Sequence, residues 1–287
     1  MLRKTLLALS VTAAIATPSL VHAQAAAPAA AQSPHTFTGN IGLVTDYRFR
    51  GISQTFAKPA LQGGFDYSHS SGIYLGNWNS NVSSGAGFPS GNIEMDFYGG
   101  WKKSWGDWGL DVGLLYYAYP GSDANRTSGT QITNPRAGGR THTGSVDNKE
   151  IYIGGSWKFI SLKYSLSIDD YFSQPGTKGS HYLDLTANYD LGDGWGIVGH
   201  VGSFKLKGWS TGTNLTNANY TDWKLGVTKD FSGWVVGASY IDTNAKGSCN
   251  AANLGYYCFN NSTPAGAGVK TKDAGKGTVV LSVTKSF

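Results

Sequence analysis

The chain ends on the stretch Val279-Val280-Leu281-Ser282-Val283-Thr284-Lys285-Ser286-Phe287, in which apolar and polar residues alternate up to an aromatic residue. This period-two alternation predicts a β-strand with one apolar face. We expect that face to meet lipid, as in the last strand of an outer-membrane barrel. It comprises Val279, Leu281, Val283 and Phe287. Lys285 interrupts the pattern, so we expect its amine to reach the headgroups while its stem stays on apolar surface.

The first residues of the chain carry the signature of export. A basic pair, Arg3 and Lys4, precedes an apolar run that is too short to span a bilayer. Val21-His22-Ala23 then has small residues at the positions that a signal peptidase reads. We therefore expect a signal peptide over residues 1–23, a disordered Ala/Pro-rich leader over 24–38 and a barrel over 39–287, exported through the periplasm to a bacterial outer membrane.

The composition is unusual for a soluble domain. Glycine accounts for 40 of 287 residues, and charged residues make up only 14%, where soluble domains carry about 25%. A mean hydropathy of −0.24 argues against a helical membrane protein, which needs about 20 consecutive apolar residues per span. Polar and apolar residues mix at short range, as a wall between lipid and a wet interior requires. The net charge of +5 is too small to indicate a nucleic-acid partner.

Period-two alternation recurs along the chain and predicts about twelve strands. The clearest are Asn40–Arg50, Ala60–Ser68, Asn92–Trp101, Leu110–Tyr119, Lys149–Trp157, Ile160–Asp169, Tyr182–Tyr189 and Thr278–Phe287, and the weaker ones are Ile73–Asn81, Gly196–Phe204, Thr221–Lys229 and Val235–Thr243. In the first strand we expect lipid to meet Ile41, Leu43, Tyr47 and Phe49. The predicted fold class is therefore all-β: a single antiparallel transmembrane barrel.

Connection lengths and aromatic residues support this topology. Residues 120–148, 205–220 and 244–277 are long connections, while the intervening hairpins are short, as in barrels with short periplasmic turns and long extracellular loops. We expect aromatic belts at the two interfaces. The periplasmic belt is Trp101, Trp105, Trp108, Trp157, Phe159, Phe231, Trp234 and Phe287, and the outer belt is Tyr47, Phe49, Tyr116, Tyr117 and Tyr119. Core aromatics of a soluble β-domain are the alternative interpretation.

Several runs of residues resemble a known family. They include Thr45-Asp46-Tyr47-Arg48-Phe49-Arg50-Gly51-Ile52-Ser53-Gln54-Thr55, Gly72-Ile73-Tyr74-Leu75-Gly76-Asn77-Trp78 and Glu94-Met95-Asp96-Phe97-Tyr98-Gly99-Gly100-Trp101. These runs resemble the TorF-type family of outer-membrane porins, a Gcw_chp-like family, and the resemblance extends over the mature chain. It implies a small barrel with a transport role, and it supplies neither a substrate nor catalytic residues.

Two cysteines lie in the last long connection. Because exported compartments are oxidising, we expect Cys249 and Cys258 to form a disulfide. A metal site is the alternative, but no His lies nearby and zinc takes four ligands. No cofactor is expected.

Charged residues on the inward strand faces are expected to line the lumen. They are Asp46, Arg48, Arg50, Asp66, Glu94, Asp96, Asp111, Glu150, Lys163, Asp169, Asp184, Asp222 and Lys224. Their acidic excess either favours cations in a channel or is neutralised by ion pairs that brace the lumen. The residues leave both interpretations open. The connection 120–148, with Arg126, Arg136 and Arg140, is a candidate to fold inward or to meet lipopolysaccharide.

A hydrolase is a further alternative, because small barrels also host enzymes. A Ser–His pair on one strand face needs a spacing of two residues. His69 and Ser71 have that spacing, but they fall in a predicted periplasmic turn. Asp169, Asp170 and Asp184 could form an acidic pair, or they could simply be lumen charges.

We therefore predict an outer-membrane porin or channel for passive diffusion of small hydrophilic solutes or ions, and not an enzyme. A plugged structural or adhesive barrel is the main alternative, and a hydrolase is the second. The expected partners are membrane lipid, lipopolysaccharide and the barrel-assembly machinery, which would recognise the strand that ends at Phe287. An oligomer is compatible with this prediction, and neither solute nor selectivity follows from the sequence.

Overall fold

The computed structural model describes residues 33–124, 144–174, 176–208, 218–250, 252–263 and 266–287. Within them, twelve antiparallel strands close into one barrel in which sequence neighbours pair and β1 pairs with β12. The strands are β1 His35–Val44, β2 Ala60–His69, β3 Ile73–Asn81, β4 Ile93–Trp105, β5 Trp108–Ala118, β6 Asp147–Trp157, β7 Ile160–Ser167, β8 His181–Gly192, β9 Trp195–Lys205, β10 Tyr220–Phe231, β11 Trp234–Thr243 and β12 Thr278–Ser286. The predicted fold class is confirmed. The predicted signal peptide lies outside the described residues.

The outward faces of the strands form an apolar surface. Leu61, Phe65 and Leu225 are each more than half exposed, as side chains that meet lipid are in an outer-membrane barrel. Lys285 donates from Nζ to the Ser232 carbonyl, 3.1 Å away in the turn between β10 and β11. Its amine therefore lies at the barrel rim. Among the described residues, no helix has the length and apolar content needed to cross a membrane.

The two ends of the barrel differ in their connections. One end, called the short-turn end, carries residues 70–72, 106–107, 158–159, 193–194 and 232–233. The other, the long-loop end, carries the described residues of the connections 45–59, 82–92, 119–146, 168–180, 206–219 and 244–277. Trp105, Trp108, Trp234 and Phe287 are at least half exposed at the short-turn end, where the periplasmic belt was predicted.

Small elements cover the long-loop end. The paired short strands are Arg48–Phe49 with Ile52–Ser53, Cys249–Asn250 with Asn253–Leu254, and Cys258–Asn260 with Thr271–Asp273. Two single-turn 3-10 helices span Ser84–Ala86 and Tyr171–Ser173. A disulfide joins Cys249 to Cys258, whose Cα atoms are 5.2 Å apart.

The first strand differs from its prediction at both ends. It begins at His35, so residues 35–38 belong to the barrel wall rather than to a disordered leader, and it ends at Val44 instead of Arg50. Residues 45–57, called the inward segment, then leave the wall and turn into the lumen. Tyr47 is 2% exposed, so the prediction that it meets lipid is wrong. Apolar–polar alternation continues past Val44, but the backbone that carries it no longer belongs to the wall.

Candidate functional site: the lumen

The long-loop half of the lumen is filled by aromatic side chains, called the aromatic plug. Its members are Tyr47, Phe49, Phe88, Tyr117, Tyr119, Tyr171, Phe172, Phe204, Tyr220 and Tyr257. Phe88 stacks on Tyr119 with ring centroids 3.8 Å apart. A gap of about 10 Å³ remains among these rings, about the volume needed to hold one water molecule. Phe49, Tyr117 and Tyr119 therefore lie inside the barrel and not in the predicted outer belt, whereas Tyr116 is exposed on the outside.

Arg48 fastens the inward segment to the last long loop. Its Nε donates to Asp46 Oδ2 at 2.6 Å, and Nη1 donates to the carbonyls of Gly51 and Ala274, each at 3.0 Å. Both charged side chains of this ion pair are buried. A guanidinium presents several donors in a fixed plane, so one side chain can hold two chain segments at once.

Arg50 fastens the same segment to the barrel wall. Its Nη2 donates to both carboxylate oxygens of Glu150, at 3.0 and 2.8 Å. The guanidinium also lies 4.5 Å from the ring centroid of Tyr182, within the range of a cation–π contact. Burial lowers the pKa of Arg50, but the charge of Glu150, the nearby Tyr171 and Tyr117 and the hydrogen bond to Glu150 together outweigh burial and raise that pKa well above its usual value. Arg50 therefore stays a cation inside the barrel.

Tyr47 connects the inward segment to β4. Its hydroxyl donates to Glu94 Oε1 at 2.8 Å, and its ring packs edge-on against Trp78 of β3. Burial, followed by the negative charge of Glu94, raises the pKa of Tyr47 well above its usual value. The phenol therefore stays protonated and remains a hydrogen-bond donor.

A group of polar side chains around His200, which sequence reasoning missed, joins β8, β9 and β10. His200 Nε2 lies 2.8 Å from Asp222 Oδ2, and Nδ1 lies 3.3 Å from Asp184 Oδ1. Tyr182 donates to Asp222 at 2.9 Å. A Cβ at Gly202 would collide with the Tyr182 hydroxyl, so the close approach of that ring needs glycine. Strand alternation could have placed His200 on the inward face of β9, but its partners depend on strand register.

The short-turn half of the lumen is open and carries polar side chains. It contains a cavity of about 410 Å³. Residues that line it include His69, Ser71, Lys102, Asp111, Gly155 and Ser156. Asp111 accepts a hydrogen bond from Tyr74 at 2.6 Å. This half of the barrel has the room and the polarity to hold water.

Of the remaining predicted lining residues, Asp66, Lys163 and Lys224 face the lumen and Asp169 does not. Asp66 accepts from the lumen-facing Tyr98 at 2.6 Å, and Lys163 lies over the Tyr152 ring, 4.8 Å from its centroid. Lys224 is close to Asp184 and Asp222. Asp169 does not line the lumen, which corrects its prediction. It follows the end of β7 and pairs at 2.8 Å with Lys149, which lies against the outward Tyr116.

The predicted loop cations, Arg126, Arg136 and Arg140, lie outside the described residues.

The candidate hydrolase groups do not meet at one site. His69 Nδ1 and Ser71 Oγ are 2.8 Å apart in the exposed turn after β2, where His69 also packs against the His35 ring. Asp169 pairs with Lys149 outside the barrel, while Asp184 contacts His200 inside it. Across the described residues, no group of three or more His, Cys, Asp or Glu side chains could hold a metal ion.

Comparison with known proteins identifies a family. Residues 28–287 match the family described as "Bacterial protein of unknown function (Gcw_chp)". The chain belongs to the Gcw_chp family. No curated protein matches it. The TorF-type label stays a prediction.

Several solved barrels are similar to this chain in outline. The KdgM porin in complex with disordered oligogalacturonate has a TM-score of 0.47 at 8% identity, covering 88% of this chain and 99% of that one. The NanC porin has a TM-score of 0.46 at 9% identity, with coverages of 88% and 99%. Outer-membrane expressed OmpT of Vibrio cholerae has a TM-score of 0.41 at 10% identity, with coverages of 88% and 97%.

Proposed function

We propose that this protein is an outer-membrane channel for passive diffusion of small hydrophilic solutes or ions, with selectivity set by the charges of its lumen. The observation that carries the proposal is the cavity of about 410 Å³ in the short-turn half, whose lining includes charged and hydroxyl side chains. A purely structural barrel of small bore fills its interior with side chains, whereas a pore needs a polar lining and room for water. Contact with lipopolysaccharide at the long-loop end, and assembly through β12, belong to the same proposal.

The narrowest part of the proposed route is the aromatic plug. The gap among its rings holds about one water molecule, so the plug limits conduction at rest. We therefore expect a conductance far below that of wide sixteen-stranded porins.

Planar-bilayer recording of the refolded mature protein under a salt gradient tests the proposal. We expect discrete current steps and a reversal potential away from zero. Lys102→Gln removes a cation that lines the cavity, so it should move the reversal potential towards stronger cation preference. Lys158→Gln is the matched control, because Lys158 lies in an exposed turn over the Trp157 ring. A folded, heat-modifiable barrel that never conducts would refute the channel.

A plugged structural barrel is the second candidate, and the buried Arg50–Glu150 pair favours it. One variant, Arg50→Ala, distinguishes the two candidate functions. If the plug is a permanent structural core, Arg50→Ala should lower stability without producing current. If the plug lies on a route, the same variant should raise the conductance.

A further inference from the structure

Two acidic side chains of β4 face the aromatic plug without a cationic partner. Glu94 and Asp96 are two residues apart, so both point inward, and they are 1% and 5% exposed. Glu94 Oε2 and Asp96 Oδ1 are buried and have no hydrogen-bond partner. Throughout the described parts of the chain, no Lys, Arg or His nitrogen lies within 4.0 Å of either carboxylate.

Other acids in this half of the lumen are neutralised. Asp46 pairs with Arg48, Glu150 pairs with Arg50, and Asp222 faces His200. Buried carboxylates in proteins are paired or they bind cations, because an isolated buried charge is very costly. Asp46, Glu150 and Asp222 follow this rule, whereas Glu94 and Asp96 do not.

Hydrogen bonds compensate only one side of the pair. Tyr47 donates to Glu94 Oε1 at 2.8 Å, which leaves Glu94 Oε2 and the neighbouring Asp96 as the uncompensated part. Glu150 adds a further negative charge near Asp96. Both carboxylates therefore lack a neighbouring positive charge.

We propose that Glu94 and Asp96 bind one small monovalent cation of the alkali-metal type through Glu94 Oε2 and Asp96 Oδ1. Oxygen ligands suit hard cations. Across the described residues, no group of three or more His, Cys, Asp or Glu side chains could hold a metal ion, so these two carboxylates are the charged ligands that the site offers. The inference rests on the proposed function in one respect, since the cation reaches this site through the lumen.

Thallium(I), which replaces potassium and scatters anomalously, is the probe. Crystals of the refolded mature protein soaked in thallium acetate should show an anomalous peak between the two carboxylates, and Asp96→Asn should abolish it. Glu94→Gln is a second variant in case Asp96→Asn fails to refold. Asp66→Asn is the matched control, because Asp66 is a lumen acid that already has a partner in Tyr98, and it should keep the peak.

Two results would overturn the inference. One is the absence of a peak in the wild-type protein together with a protonated-carboxyl infrared band that Asp96→Asn removes, since the pair would then hold a proton. The other is a peak that persists in both Asp96→Asn and Glu94→Gln. A thallium peak in a barrel that never conducts would refute the channel and leave the cation site standing. Conduction together with either of the two results above would refute the cation site and leave the channel standing.

Discussion

The two halves of this lumen are built from the same twelve strands and yet differ in what fills them. The long-loop half is packed with rings and ion pairs, down to a gap of about 10 Å³. The short-turn half encloses a cavity of about 410 Å³ whose lining includes polar side chains. The wall strands contribute Tyr117, Phe204 and Tyr220 to the aromatic plug. The other seven rings of the plug come from the connections at the long-loop end, and the inward segment enters only there.

Of the substitutions considered, loss of Arg50 should most weaken the packed long-loop half of the lumen. Arg50→Ala leaves Glu150 buried without its partner, and breaking a buried pair in this way costs about 3–5 kcal/mol. We expect a drop of that size in the free energy of unfolding, measured by urea denaturation in detergent micelles.

Lys149→Ala is the control for Arg50→Ala. Lys149 pairs with Asp169 at the exposed rim, where its side chain is 44% exposed, so we expect a loss of about 0–1 kcal/mol. Equal losses in the two variants would contradict the view that the long-loop half is held by buried charge pairs.

Substitution of Gly51 tests the path of the inward segment. Gly51 has φ +79°, and a Cβ there would lie 2.5 Å from Thr243 Cγ2 and 2.7 Å from Asp222 Cβ. Gly51→Ala should therefore cost about 2–3 kcal/mol, through left-handed strain and overpacking together.

Gly121→Ala separates the two causes. Gly121 has φ +77°, but a Cβ added there would meet no atom within 4 Å beyond its chain neighbours, so only the strain of about 1 kcal/mol applies. If thermal unfolding shows the same loss for Gly51→Ala and Gly121→Ala, the segment does not pack against β10 and β11 as described.

Filling the short-turn cavity with a larger side chain should change stability least. Ser156 lines the short-turn cavity, so we expect Ser156→Phe to reduce single-channel conductance by about half, with stability within about 0.5 kcal/mol of wild type. Ile153→Phe on the outward face of β6 is the control and should change neither quantity. A conductance that Ser156→Phe leaves intact would show that ions bypass this cavity.

The barrel could be predicted from the sequence because alternation is a local property of the extended backbone. Two strands show this well: the prediction Ile73–Asn81 agrees with β3, and Thr278–Phe287 agrees with β12 except at its last residue. Tyr47 and Phe49 show the limit. In the sequence, an aromatic residue within an alternating stretch gives the same pattern whether its side chain meets lipid or packs in the aromatic plug.

By itself, the sequence determined a closed wall with an apolar outside and with short turns at one end, since each strand carries its own alternation and each hairpin its own length. Only the tertiary structure decided that the wall ends at Val44 and that the next residues fill the lumen. That outcome depends on contacts between residues far apart in the chain, such as Arg48 with Ala274 and Arg50 with Glu150. Their free energy exists only once the barrel has brought them together, so no local pattern could reveal it.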